Sequence, residues 1–191
     1  MPRVVLSTFL ATAAEGDRLA FEPYHIAADM PRGPDGATPE AARAAVAEGR
    51  RRQDRLALEG LDGILRAVRK TRHEPAVAAL LVNRAGWIGD LLQYSLSAAE
   101  HPAVAEGLAV RDAVRFALRT RAIDLVELDE KSLIERAAAE LRLSAHDIDA
   151  RLRDARESVG APWRKEQKLA CLSAWIALER SAGHGRAHSP A

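Results

Sequence analysis

A short, wholly apolar run at Ala76–Val82 (AVAALLV) constrains the fold more than any other stretch of this chain. Such a run is typical of a strand that is buried on both faces. His101–Arg121 has the pattern of a helix, with Pro102 suited to its first turn, and Ile123–Leu128 (IDLVEL) has that of a second strand. A strand, a helix and a strand at this spacing predict two parallel strands joined by a helical crossover.

Two β-rich stretches near the N-terminus predict an antiparallel hairpin. Val4–Ala14 and Leu19–Ala28 flank residues 15–17, whose Glu-Gly-Asp sequence has turn chemistry. Pro23 would place the second strand at an edge of the sheet, because proline cannot donate a ladder hydrogen bond. The predicted fold class is therefore α/β, with a mixed sheet that holds this hairpin, the parallel crossover strands and helices at the C-terminal end.

Helices are predicted for most of the remaining chain. A cap at Thr38 and a proline behind it favour a long helix that runs to about Arg72, although its glycines favour a bend or a break. Beyond Asp129 the pattern is helical, so residues 129–180 form the helical part of a single predicted domain, 1–180. The small and polar residues 181–191 predict a mobile tail.

Overall charge and composition limit the classes of function. The chain carries 28 Lys and Arg against 27 Asp and Glu, a net charge of +1, which argues against a globally basic nucleic-acid-binding protein but allows a local basic surface. Cys171 is the only cysteine, so a disulfide framework and a cysteine zinc site are excluded. The pattern shows neither a signal peptide nor a membrane span, which predicts a cytoplasmic protein with no membrane partner.

Local groups of basic residues are the candidates for binding DNA or RNA. Four arginines crowd about one and a half turns of the long predicted helix, and a planar guanidinium suits phosphate because it donates two hydrogen bonds at once. Two lysines near the start of the last helix extend the set. The six candidates are Arg50, Arg51, Arg52, Arg55, Lys165 and Lys168. The alternative is a solvated helix face with no ligand.

Three acidic residues are candidates for metal-dependent catalysis. Glu106 lies in the first turns of the central helix, Asp129 lies just past the strand beside it, and Asp90 follows the loop after the buried strand. Carboxylates at one edge of a sheet can share Mg²⁺, and two-metal phosphoryl chemistry needs several converging acids. These three residues are therefore catalytic candidates if the protein is a nuclease, with Mg²⁺ as its cofactor. Under the other hypotheses no cofactor is expected.

The stretch AEGLAVRDAVRFALRTRAIDLVELDEKSLI, residues 105–134, resembles the central segment of ribonuclease-H-like proteins. In that family a helix Glu and a later strand-end Asp bind the metal, and the resemblance carries these roles onto Glu106 and Asp129. The predicted order of elements is similar to that of RuvC-type Holliday junction resolvases, which share the fold. The segments RTRAIDLVELDEKSL and WRKEQKLACLSAWIAL also look like segments of these resolvases.

The chain departs from the resolvases at their catalytic acids. Val4–Ala14 lacks the Asp of the first strand, the acid after the buried strand falls at Asn83, and no Asp or Glu follows Arg180. The resemblance therefore implies a catalytically degenerate relative, a nucleic-acid-binding or DNA-processing accessory protein. Two alternatives stay open. One is a divergent divalent-metal nuclease, and the other is a non-enzymatic scaffold or homo-oligomerisation module.

Residues 137–155 (AAAELRLSAHDIDARLRDA) resemble a helix-turn-helix whose second helix would begin at Ser144. A helix that reads bases presents Arg, Lys, Asn or Gln to the groove. This one carries Asp147 and Asp149 in its first turns. Three arginines come later: Arg151, Arg153 and Arg156. The alternative is an ordinary helical hairpin.

Overall fold

A three-stranded parallel sheet is the β-structure found in the part of the chain that the structure describes, residues 3–7, 17–30, 38–82, 87–161 and 163–186 of a computed structural model. The strands are β1 (Arg3–Ser7), β2 (Glu74–Val82) and β3 (Leu125–Asp129), in the order β1-β2-β3. Helices account for most of the described residues. The predicted α/β mixed sheet of ribonuclease-H type is therefore wrong.

The described ranges contain eight α-helices and one 3₁₀ turn. They are α1 (Arg18–Phe21), α2 (Pro23–Asp29), α3 (Pro39–Lys70), α4 (Leu91–Ser95), α5 (His101–Thr120), the 3₁₀ turn Glu130–Ser132, α6 (Leu133–Leu141), α7 (Ala145–Val159) and α8 (Lys165–Arg186). The α3 helix is continuous despite its glycines, and α8 extends past its predicted end at Arg180. None of these helices combines the length and the apolar character that a bilayer crossing requires.

The predicted antiparallel hairpin is wrong, because the stretch Leu19–Ala28 forms two short helices, α1 and α2, that meet at Glu22. The Asp17 carboxylate caps α1 by accepting the Ala20 amide, and Pro23 opens α2 with a φ angle that suits a first turn. The buried positions of this stretch are three or four residues apart, which is the period of a helix. They are Ala20, Pro23, Tyr24 and Ala27. Residues 15 and 16 of the predicted turn lie outside the described residues.

The prediction of a parallel crossover is confirmed. β2 and β3 pair in parallel, with Leu80 opposite Glu127 and Val82 opposite Asp129. β1 also runs parallel to β2, on its other side, with a shift of register between Val4 and Val5. β2 is therefore the central strand of the three, which agrees with its apolar sequence and with the burial of residues 77–80.

The chain divides into two compact units, each drawn from separate stretches of sequence. The first takes residues 1–9, 65–84 and 122–191, and its described part holds the three strands and helices α6 to α8. The second takes residues 10–64 and 85–121, and its described part holds α1, α2, most of α3, α4 and α5.

In the first unit the core lies between one face of the sheet and the three C-terminal helices. Val77, Ala79 and Leu128 of the strands pack with buried residues of α6, α7 and α8. The helical members are Leu133, Ala137, Ile148, Leu152, Leu172, Ile176 and Ala177. Arg180 of α8 also donates two hydrogen bonds to Glu140 of α6. The core cluster thus holds α6, α7 and α8 together, and the Arg180–Glu140 bonds add a contact between α6 and α8.

In the second unit alanines allow the helices to approach closely. Six buried residues of α2, α3 and α5 form its core cluster: Tyr24, Ala27, Ala42, Val46, Ala105 and Ala109. Gly49 of α3 lies directly against the N-terminal helices. A Cβ at this position would lie 2.4 Å from Cβ of Pro23 and 2.5 Å from the carbonyl oxygen of Leu19. The packing therefore requires glycine at residue 49.

Candidate functional site

The four arginines predicted to bind nucleic acid lie on α3, and each has a carboxylate partner. The closest approaches are Arg50–Asp112 (3.1 Å), Arg51–Glu48 (2.8 Å), Arg52–Glu48 (2.9 Å), Arg52–Asp17 (3.0 Å) and Arg55–Glu59 (4.0 Å). Each carboxylate partner reduces the net positive charge that a phosphate group would meet at these arginines. The structure thus does not gather these arginines into an unpaired basic patch.

The two predicted lysines differ in their surroundings. Nζ of Lys165 lies 2.9 Å from a carboxylate oxygen of Glu130, and this hydrogen bond raises the pKa of Lys165. Lys168, one turn further along α8, has no ion-pair partner among the described residues and lines a cleft. Lys168 is thus a predicted binding residue that lies in a concave surface.

This α7–α8 cleft has a volume of about 290 Å³ and lies in the first unit. Six residues line it: Asp149, Leu152, Arg153, Arg156, Trp163 and Lys168. Three of them are cationic and one is anionic, so the lining has a positive net charge. Leu152 and Trp163 supply its apolar part, and both also contact the core cluster of this unit.

Local sequence signals place Asp149, Arg153 and Arg156 on one side of α7. Ser144 and Asp147 form a capping box that begins the helix, and the donations from Ser144 lower the pKa of Asp147. Residues 149, 153 and 156 then share a face, because positions four and seven apart align on a helix. Gly160, at φ 82°, ends α7. Trp163 follows it in the sequence and lines the same cleft as these residues.

The cations of the cleft are unpaired, unlike the arginines of α3. Within the described residues, Arg153, Arg156 and Lys168 form no ion pair, and Asp149 forms none with Arg153. Sequence reasoning noted the two arginines as part of a possible helix-turn-helix but missed Asp149 and Trp163 as site residues. The signal available in the sequence was Gly-Ala-Pro at positions 160–162, which separates two predicted helices that both carry cations.

The three acids predicted to be catalytic each accept hydrogen bonds from backbone amides. Glu106 accepts the amides of Tyr24 (2.7 Å) and His25 (3.2 Å). Asp90 caps α4 by accepting two amides, and Asp129 accepts one in the 3₁₀ turn. In the described part of the chain, no group of three or more His, Cys, Asp or Glu side chains could hold a metal ion. Each of these carboxylates thus accepts backbone amides at the start of a helix or a 3₁₀ turn.

Glu106 is a deeply buried member of this acidic set. Its side chain lies in the second unit, and its Oε2 atom has no hydrogen-bond partner there, while Oε1 lies 3.6 Å from Nδ1 of His25. Burial raises the pKa of the Glu106 carboxyl above its ordinary value of 4.5, because desolvation outweighs the two amide donations.

The raised pKa of Glu106 predicts a pH-dependent stability. A carboxyl whose pKa is higher in the folded state stabilises the fold most at acidic pH, and this contribution is lost as the pH rises from 4.5 through the folded pKa. We expect the stability of Glu106→Gln relative to the parent to increase over this pH range. Urea denaturation at several pH values measures it, with Asp90→Asn as a control for the loss of a carboxylate. A difference that is flat, or that falls with pH, would contradict the assignment.

Comparison with known proteins finds no match to a family model, a curated protein or a solved structure. The resemblance to resolvases stays a hypothesis based on sequence, and the fold that it implied is not the one observed. Asn83, where the resemblance places a family acid, lies outside the described residues.

Proposed function

We propose that this protein binds nucleic acid, and that the α7–α8 cleft is its contact surface. The observation that carries the proposal is a group of three cations around one concave surface, Arg153, Arg156 and Lys168. None of them forms an ion pair with another residue in the described ranges of the chain. Guanidinium groups bind phosphate through two parallel hydrogen bonds, and the lysine adds a point charge. Asp149 is the single acid among the six lining residues, so the lining keeps a net positive charge toward a ligand.

The small net charge of the chain sets the expected strength of binding. At physiological salt, screening limits electrostatic attraction to about 8–10 Å. The cations of the cleft therefore act on phosphates that enter it and attract distant nucleic acid little. We expect weak binding, with a Kd in the range of about 10⁻⁴ to 10⁻⁶ M that is typical of contacts without sequence specificity.

Contacts to the phosphate backbone are favoured over the reading of bases in a groove. The first turn of α7, which would enter the groove in a helix-turn-helix, carries Asp147, whose carboxylate is bonded to Ser144. Arg153 and Arg156 lie in the second half of the same helix, and Lys168 lies on α8. Contacts of this kind position a nucleic acid but carry little sequence information.

Removal of the three cations tests the proposal. For Arg153→Ala/Arg156→Ala/Lys168→Ala we expect lower affinity for DNA oligonucleotides and a salt dependence that is shallower by up to about three, one for each lost phosphate contact. Fluorescence anisotropy at several salt concentrations measures both quantities.

The control removes an equal charge from exposed, paired arginines of α3: Arg43, Arg51 and Arg55. Its binding should match the parent. A parent that binds nothing at low salt, or a cleft variant that binds like the parent, would overturn the proposal. Loss of binding in the α3 variant alone would move the interface to α3.

A further inference from the structure

We propose that the α7–α8 cleft takes a single strand in preference to a duplex, with an unpaired base against Trp163. This inference rests on the proposed function and specifies its substrate class. It is carried by the mixed lining of the cleft, in which Trp163 and Leu152 lie among Arg153, Arg156 and Lys168.

An apolar wall among cations fits a single strand better than a double helix. In a duplex the bases are stacked inside and present only their edges, and the protein elements that read them protrude into a groove. The α7–α8 cleft is concave, and its volume of about 290 Å³ is near the lower limit for small-ligand pockets. A single strand exposes base faces that can stack on an aromatic ring while its phosphates meet the surrounding cations.

Trp163 is the tryptophan of this unit that is available for stacking. The guanidinium carbon of Arg151 lies 5.3 Å from the centroid of the Trp175 ring, so a cation already lies over that indole. Trp163 makes no aromatic or cation contact with the described residues. It is half-buried and packs against the core cluster, which holds the ring in place at low entropic cost. A base stacks on a ring that is already held in place at a lower entropic cost than on a mobile ring.

The carboxylate in the cleft also favours a base over a second phosphate. Asp149 lies seven residues before Arg156 on α7, about 10 Å along the helix axis, so one end of the lining is acidic and the other cationic. A phosphate beside Asp149 would be repelled, whereas the N–H groups of a base can donate to it. The lining thus suits a nucleotide unit, with its phosphate toward Arg156, better than a row of phosphates.

The experiment compares a single-stranded DNA 12-mer of mixed sequence with the blunt duplex of the same sequence, with inorganic polyphosphate as a competitor. We expect the parent to bind the single strand about 10-fold more tightly, and Trp163→Ala to lose about 5-fold to 150-fold on the single strand only, the range of one stacked base. Trp163→Phe keeps an aromatic face and should stay within about 3-fold of the parent.

Tryptophan fluorescence gives a readout that does not depend on how well the alanine variant folds. The single strand should quench the emission of the parent and of Trp175→Phe, and should quench Trp163→Phe much less. Equal affinity for the two DNA forms, unchanged binding by Trp163→Ala, or quenching that persists in Trp163→Phe would overturn the single-strand inference. Those results would leave cation-dependent binding intact, whereas the absence of any binding at low salt would overturn both proposals.

Discussion

Replacement of Leu128 by alanine is expected to lower the free energy of unfolding by about 2–5 kcal/mol. Leu128 is fully buried on β3, where it packs with Val77 and Ala79 of the neighbouring strand and with residues of the C-terminal helices. Neighbours from several elements cannot all move into the space, so the substitution leaves a cavity. Urea denaturation, with the m-value as a check on the unfolded state, measures the loss.

Ile134→Ala is the matched control for this prediction. Ile134 lies on α6 next to the buried Leu133, but its own side chain is 57% exposed. The stability should change by about 0.5 kcal/mol or less, as is usual for surface positions. If the Leu128 variant were equally mild, the placement of β3 in the core would be wrong.

Gly49→Ala is expected to destabilise the protein by about 1–3 kcal/mol, the usual cost of an overpacked core. The added Cβ would meet the Pro23 ring at 2.4 Å and the Leu19 carbonyl oxygen at 2.5 Å. Neither neighbour is the end of a flexible side chain, so relief requires a shift of the N-terminal helices relative to α3. Thermal or urea denaturation measures the effect.

The same substitution elsewhere on α3 should have the opposite sign. No atom lies within 4 Å of the position that a Cβ would take at Gly60. Gly60→Ala should therefore stabilise the protein by about 0.5–1 kcal/mol, through the higher helix propensity of alanine. If both variants were stabilising, the close approach at Gly49 would be disproved.

The candidate site was only partly predictable, and the reason is the pairing of charges. Some partners of the α3 arginines are local, since Glu48 and Glu59 lie one helical turn from the arginines they pair with. The partners that are distant in the chain do not show in the sequence. Arg50 pairs with Asp112, which is 62 residues away. Lys168 and Lys165 look alike in the sequence, yet Glu130 pairs with Lys165 and leaves Lys168 in the cleft.

The error at Leu19–Ala28 has a similar origin. Its Phe, Tyr and Ile residues favour a strand by local propensity. The helical alternative is stabilised by Glu106, 82 residues from Tyr24, which accepts the first amides of α2, and by Gly49, which admits this segment against α3. Local propensity is a weak preference that such tertiary contacts can reverse.

The sequence by itself determined the central strand, its parallel crossover to β3 and the long helices. These elements are predictable because an apolar run and a helical period are patterns among residues that are close together in the chain. Only the tertiary structure decided the conformation of residues 19–28, the pairing of Arg50 with Asp112 and the pairing of Lys165 with Glu130. These features depend on contacts between residues that are distant in the chain, and the free energy of such contacts does not appear in any local pattern.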